Sequence, residues 1–79
     1  MSDPTGSGKR LIQMANDIAD YFASEPDREL AITGMALHLE RFWEPRMLAR
    51  IRVIHADGGN GLHVLANAAI ARLSDQAPG

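Results

Sequence analysis

Three histidines, at positions 38, 55 and 63, are the side chains in this sequence best suited to acid–base or metal chemistry. They fall on different predicted helices without a His-x-x-x-His pair, and the chain has no cysteine. A zinc site needs such ligand spacing. His38 is expected to border the core with a hydrogen-bonded ring, and His55 suits the C-terminal end of a helix. The sequence therefore predicts no preformed metal site.

Paired carboxylates and nucleophiles give no stronger signal for catalysis. Asp17 with Asp20, and Glu40 with Glu44, are local pairs that we expect to be solvated. No serine or threonine stands beside a histidine, and an acyl-transfer site needs a nucleophile next to a base. We expect no catalytic residues in this chain.

The segment from Thr5 to Arg10 has some likeness to a phosphate-binding loop that opens a helix. The motif requires a glycine where Asp3 stands and a serine or threonine where Arg10 stands. It also requires a preceding strand, and none is predicted. Residues 1–8 are therefore interpreted as a flexible arm, and we expect no nucleotide site.

The length of 79 residues allows one domain with a thin core, and packing against another chain is a plausible source of extra stability. The formal net charge of −2 favours neither nucleic acid nor an anionic membrane as a partner. No stretch approaches the roughly 18 apolar residues of a membrane span, and no secretory leader is apparent. A cytoplasmic protein is expected.

A proline corner is the feature most typical of a binding surface. Aromatics, methionine and arginine are enriched at protein interfaces, and the corner contains Arg41, Phe42, Trp43, Pro45, Arg46 and Met47. Helical phase favours a core position for Phe42. Trp43, beyond that phase and beside a proline, is expected at the interface instead.

Arginines cluster around the same corner, at positions 41, 46, 50 and 52. Arg46 and Arg50 should share a helix face because they are four residues apart. A solvated face is one explanation. Pairing with carboxylates on a partner is the other, since the guanidinium fork binds carboxylates bidentately.

Four amphipathic helices must position these residues, in an all-α fold with a helical hairpin and a proline corner. The first spans about Lys9 to Ala23. The second, capped by Ser24 or Glu25, runs to about Phe42 and is apolar enough to contact two neighbours. Gly34 within it marks either a close backbone approach or a tolerant position.

The third helix should begin at Pro45, which suits a first turn, and end near Ala56. Glycines at 58, 59 and 61 fit left-handed turn geometry, and Asn60 is the expected N-cap of the last helix. That helix runs to about Leu73. The predicted organisation is an arm over 1–8, one helical domain over 9–73 and a flexible tail over 74–79.

From about Leu11 to Leu73 the sequence resembles the delta subunits of molybdenum-containing, NAD-dependent formate dehydrogenases. The likeness rests on the run 14–22, on Pro26, on Gly34 with His38 and on the run 42–47. The Gly58-Gly59-x-Gly61-Leu62 turn also fits. His63 departs from the pattern, because a proline is expected after that turn in many members.

The resemblance implies a non-catalytic accessory subunit of a cytoplasmic complex whose large subunits hold molybdopterin, iron–sulfur clusters and FMN. This chain is expected to hold no cofactor itself. The partner-binding residues that it implies are Arg41, Phe42, Trp43, Pro45, Arg46 and Met47, with Asn16 and His38 as lesser candidates. The residues by themselves also allow a stand-alone homodimeric adaptor or a regulatory module for a small ligand.

Overall fold

Four helices make up the part of the chain that the computed structural model describes, which is the backbone of residues 7–76 and the side chains of residues 8–73. They are α1 (Ser7–Phe22), α2 (Arg28–Phe42), α3 (Pro45–Ala56) and α4 (Val64–Gln76). These residues include no strand. The predicted all-α bundle of four short helices is confirmed.

The core is formed mainly between α2 and α4, with α1 and α3 packed against them. α2 contributes Ala31, Ile32, Met35, Ala36 and Leu39 to it. The buried residues elsewhere are Leu11, Ala15, Ala19, Trp43, Ile51, Leu62, Leu65, Ala66, Ala69, Ile70 and Leu73. Many of these side chains are alanine, which lets helices approach closely but buries little apolar area per residue. The core is therefore thin, as the length predicts.

The turn between α1 and α2 is capped by a residue that the sequence analysis did not select. Asp27 is the N-cap, and its Oδ1 accepts from the backbone N–H groups of Glu29 at 3.0 Å and Leu30 at 3.4 Å. The prediction of Ser24 or Glu25 is wrong because α2 begins two residues later than expected. Glu25 instead accepts from the Asp27 N–H at 3.1 Å and stiffens the turn.

The corner between α2 and α3 follows the prediction. Pro45 is the first residue of α3, and the helix ends at Ala56 as expected. Trp43 is the C-cap of α2, with an extended backbone (φ −89°, ψ 140°) and its N–H bonded to the Leu39 carbonyl at 2.9 Å. Two residues thus redirect the chain from one helix to the next.

The turn between α3 and α4 contains the expected left-handed glycines, with φ of 117° at Gly58, 65° at Gly59 and 89° at Gly61. Asn60 is not the N-cap, because α4 begins only at Val64. His63 takes that position: its carbonyl accepts from Asn67 N–H at 2.9 Å and its Nδ1 accepts from Leu65 N–H at 3.0 Å. An imidazole therefore caps α4.

Gly34 sits where another group approaches α2, but that group is a ring rather than a backbone. A Cβ at this position would lie 2.8 Å from Cε1 of Phe22. The glycine thus leaves room for the last side chain of α1 to pack closely against α2.

The predicted domain limits stay a prediction. Residues 1–6 of the arm and 77–79 of the tail lie outside the described residues. At the edges that are described, α1 begins at Ser7 and α4 continues through Gln76. Within the described residues, no helix has the length and apolar character needed to cross a membrane.

Candidate functional site

Phe42 and Trp43 exchange the positions that the sequence predicted for them. Phe42 is 70% exposed, whereas Trp43 is only 7% exposed and belongs to the core. Trp43 lies four residues after Leu39 and eight after Met35, and its N–H still bonds the Leu39 carbonyl, so helical spacing itself points the indole into the core. Phe42 lies in the last turn of α2, where no described residue covers it. The expectations of a buried Phe42 and an interfacial Trp43 are both wrong.

The other corner residues divide into an exposed group and a packed one. Arg41, Pro45 and Arg46 are exposed. Met47 is half-buried and packs against the core. A partner that contacts this corner would therefore meet Phe42 and the two arginines first, with Trp43 supporting them from inside.

His38 is half-buried between two phenylalanine rings on the side of α2. Its ring centroid lies 4.8 Å from that of Phe42 and 6.0 Å from that of Phe22. Tyr21 extends the row with an edge-on contact to Phe22 at 5.1 Å. Edge-on and tilted contacts at these distances are favourable for aromatic pairs. The ring of His38 is thus the neighbour against which the exposed ring of Phe42 packs.

Four large apolar side chains are exposed on or beside α2. They are Tyr21 (75% exposed), Leu30 (59%), Leu37 (51%) and Phe42 (70%). Leu30 and Leu37 are seven residues apart and so lie on one side of the helix. Phe42, five residues beyond Leu37, lies roughly 140° around the helix beside His38, and Tyr21 adjoins that side through Phe22. We call these four residues the α2 outer face.

The signal for the α2 outer face was present in the sequence as the broad apolar stripe of the second helix. Its inner side packs on α4, and its outer side has no covering element within residues 7–76. Single exposed apolar residues are common on protein surfaces, but contiguous ones mark binding sites, and Tyr21 and Phe42 are the two exposed ends of one row of rings through Phe22 and His38. Sequence reasoning missed Tyr21, Leu30 and Leu37 because periodicity cannot tell which of two apolar sides the chain itself will cover.

A second surface lies on α3. Arg46, Ala49, Arg50 and Val53 stand at helical spacing and, with Ile54, line an open groove of about 430 Å³. We call these five residues the α3 outer face. The prediction that Arg46 and Arg50 share a face is confirmed. Arg46 also borders a neighbouring groove of about 320 Å³.

Both polar atoms of the Asn16 side chain make hydrogen bonds within the fold. Its Nδ2 donates to the Gly61 carbonyl at 2.8 Å, and its Oδ1 accepts from the His63 N–H at 2.8 Å. The residue thus ties α1 to the turn before α4. A role in partner binding would be indirect, through the position of that turn.

The remaining histidines also serve the fold. His55 Nδ1 lies 2.8 Å from Oδ1 of Asn67 and joins the end of α3 to α4. His63 Nε2 lies 4.0 Å from a carboxylate oxygen of Asp20. Within the described residues, no group of three histidine or acidic side chains is placed to hold a metal ion. The geometry offers surfaces for binding.

Comparison with known proteins identifies the family. The model of one family, described as NADH-dependent formate dehydrogenase delta subunit FdsD, matches residues 10–70. No curated protein and no solved structure matches the chain. The matched range includes α2, α3, both outer faces, most of α1 and about half of α4. The chain belongs to the FdsD family of NADH-dependent formate dehydrogenase delta subunits.

Proposed function

We propose that this chain is a non-catalytic accessory subunit of a cytoplasmic NAD-dependent formate dehydrogenase complex, binding the large subunits to support their assembly, maturation or stability. Membership of the delta-subunit family supports the assignment to such a complex. In this proposal the large subunits hold molybdopterin, iron–sulfur clusters and FMN, and the present chain holds no cofactor.

The α2 outer face is the observation that carries the proposal. Fully burying an exposed leucine or phenylalanine side chain contributes about 1.5–3 kcal/mol. Leu30, Leu37 and Phe42 are already more than half exposed, so a partner that covers them gains a large part of that free energy. A folded partner is the natural cover, because it can bury these apolar side chains while its polar groups meet Arg41 and the other charged residues around them.

The contact residues follow from burial. Phe42, Arg41, Pro45 and Arg46 are exposed and would touch the large subunits directly. Trp43, Met47, His38 and Asn16 would act from behind that surface, by fixing the corner, the Phe42 ring and the turn before α4. The proposed interface therefore extends from the corner along the α2 outer face.

Co-purification with the large subunits tests this proposal. The tagged chain is co-expressed with them, either unmodified or with Leu37→Gln and Phe42→Gln together. Glutamine keeps helix propensity but removes the apolar contact. We expect the unmodified chain to recover the large subunits and the double variant to lose them, with unchanged helicity by circular dichroism.

The matched control is Val64→Gln, which alters a similarly exposed apolar residue at the start of α4 that does not belong to the α2 outer face. It should retain the large subunits. Normal recovery by the Leu37→Gln, Phe42→Gln variant would show that the surface is assigned wrongly. Failure of the unmodified chain to recover any large subunit would remove the proposed function itself.

A homodimeric adaptor is the second candidate, and the same apolar face favours it because a second copy could cover it. Sedimentation of the purified chain distinguishes the two. A stable dimer that the Leu37→Gln, Phe42→Gln variant abolishes, with no large subunit recovered by the unmodified chain, would favour the adaptor.

A further inference from the structure

Charge is unevenly distributed among the four helices. α3 carries Arg46, Arg50 and Arg52 and no acidic residue. The other helices are balanced: α1 has two basic and two acidic residues, α2 has two of each, and α4 has one of each. The whole chain has a formal net charge of −2. One basic helix thus stands in an otherwise acidic molecule.

The basic charge of α3 is combined with apolar surface on the side that faces away from the core. Arg46, Ala49, Arg50 and Val53 occupy positions i, i+3, i+4 and i+7, which share one side of a helix. Val53 is 67% exposed, and Ile54 adds a half-buried aliphatic edge. The small side chain of Ala49 leaves room between the arginines for another backbone to approach.

The groove beside the α3 outer face continues the same pattern. Arg10 and Arg46 border it, with Met14 and Met47 as apolar lining and Glu44 as its acidic member. Arg46 belongs to both grooves, so the two form one surface with aliphatic and thioether lining and a positive border. Met adapts readily to partner shapes.

We infer that the α3 outer face docks an acidic amphipathic helix of a partner subunit. This inference rests on the proposed function, since the helix would belong to a large subunit of the complex. The apolar residues of such a helix would pack on Val53, Ile54 and Ala49. Its carboxylates would pair with the guanidinium forks, which bind carboxylates bidentately.

A nucleic-acid strand fits the same surface less well. Single-stranded binding needs aromatic platforms on which bases stack, and none of the residues that line either groove is aromatic. The net charge of −2 also opposes a polyanion at longer range. An acidic peptide requires only the local charge and the apolar lining that are present.

The inference is tested in the complex by reversing the shared arginine. Arg46→Glu, and Arg46→Glu with Arg50→Glu, are compared with Arg28→Glu, a control at an exposed arginine at the start of α2. Recovery of the large subunits is measured from about 0.1 M to about 1 M salt, over which the screening length falls from about 10 Å to about 3 Å. Circular dichroism checks that each variant folds.

Each outcome has one meaning. If the inference is correct, the unmodified chain and Arg28→Glu lose affinity as salt rises, whereas Arg46→Glu binds about 10-fold or more weakly already at low salt. Equal recovery and equal salt dependence for all variants would overturn the inference, and with it the direct contact proposed for Arg46, while the proposed role as a subunit of the complex would stand. Failure of the unmodified chain at every salt concentration would remove both. Nucleic acid that co-purifies with the chain, and is lost in Arg46→Glu, would overturn the peptide as occupant.

Discussion

The side chain of Asn16 accepts the backbone N–H of His63 at 2.8 Å, across 47 positions of sequence. The side-chain nitrogen of Asn16, Nδ2, donates a hydrogen bond to the Gly61 carbonyl at the same distance. One residue of α1 thus satisfies two backbone groups of a turn that has little regular structure of its own. This turn, over residues 57–63, leads directly into α4 at Val64.

Replacing Asn16 with alanine should lower the free energy of unfolding by about 1–3 kcal/mol, because the partly buried N–H of His63 loses its acceptor. Urea denaturation measures the change. The matched control is Gln13→Ala, at an exposed position on the same helix, which should change stability by less than about 0.5 kcal/mol. Equal effects of the two substitutions would show that the bonds to the turn contribute nothing.

The contact between Phe22 and Gly34 predicts that the effect of Gly34→Ala on stability depends on whether residue 22 is phenylalanine or alanine. Gly34→Ala alone should gain about 1 kcal/mol of helix propensity but lose about 1–3 kcal/mol to overpacking, since the new Cβ meets the ring at 2.8 Å. The ring cannot yield freely because it also contacts Tyr21 and His38. The net effect should be neutral or destabilising.

In a Phe22→Ala background the same Gly34→Ala change should stabilise the chain by about 0.5–1 kcal/mol, because only the propensity gain remains. The double-mutant cycle, measured by urea denaturation, isolates the contact as a coupling energy of about 1–3 kcal/mol. A coupling energy of zero would mean that the ring does not restrict position 34.

His63 should be replaceable by another capping residue. His63→Ala should destabilise the chain by about 1 kcal/mol, because Leu65 N–H loses its acceptor at the start of α4. His63→Asn should restore most of that loss, since asparagine is among the best N-caps. Thermal unfolding of the three proteins checks the order. If alanine and asparagine are equally destabilising, the imidazole contributes something other than a cap.

Truncation of Trp43 should destabilise the chain far more than truncation of Phe42. Trp43→Ala should lower the free energy of unfolding by about 3–5 kcal/mol, a large fraction of the total for a domain of this size. Phe42→Ala should cost about 1 kcal/mol or less, mainly through its contact with His38. Urea denaturation separates them, and comparable losses would contradict the observed burial. Trp43→Ala is therefore unsuitable for testing the interface, because unfolding alone would abolish binding.

The parts of the fold that sequence predicted best are those set by local chemistry. Pro45 begins α3 where a proline fits a first turn, and Gly58, Gly59 and Gly61 adopt the left-handed backbone that their type permits. The four helices follow from apolar periodicity. Each of these features depends on residues that are close together in the chain.

The features that sequence missed depend on distant neighbours or on the ends of helices. The Asn16 bonds join residues 45 and 47 positions apart, and no local pattern marks them. The exchange of Phe42 and Trp43 arises because the helical spacing continues through the C-cap and places Trp43 four residues after the buried Leu39, whereas the prediction ended the apolar stripe at Phe42. His63 is a rarer cap than asparagine, so propensity pointed to Asn60 instead.

The two sides of α2 have a consequence for how much of this chain a cell retains. Only the folded chain presents Leu30, Leu37 and Phe42 as an ordered surface, so any protein that covers them raises the free energy of unfolding by an amount that grows with that protein's affinity and concentration. A thin core opens more often than a large one, and proteases act on the opened form. Copies of the chain that have no partner bound would then be degraded first. The amount of this chain would therefore follow the amount of its partner, even if the synthesis of the chain were not regulated.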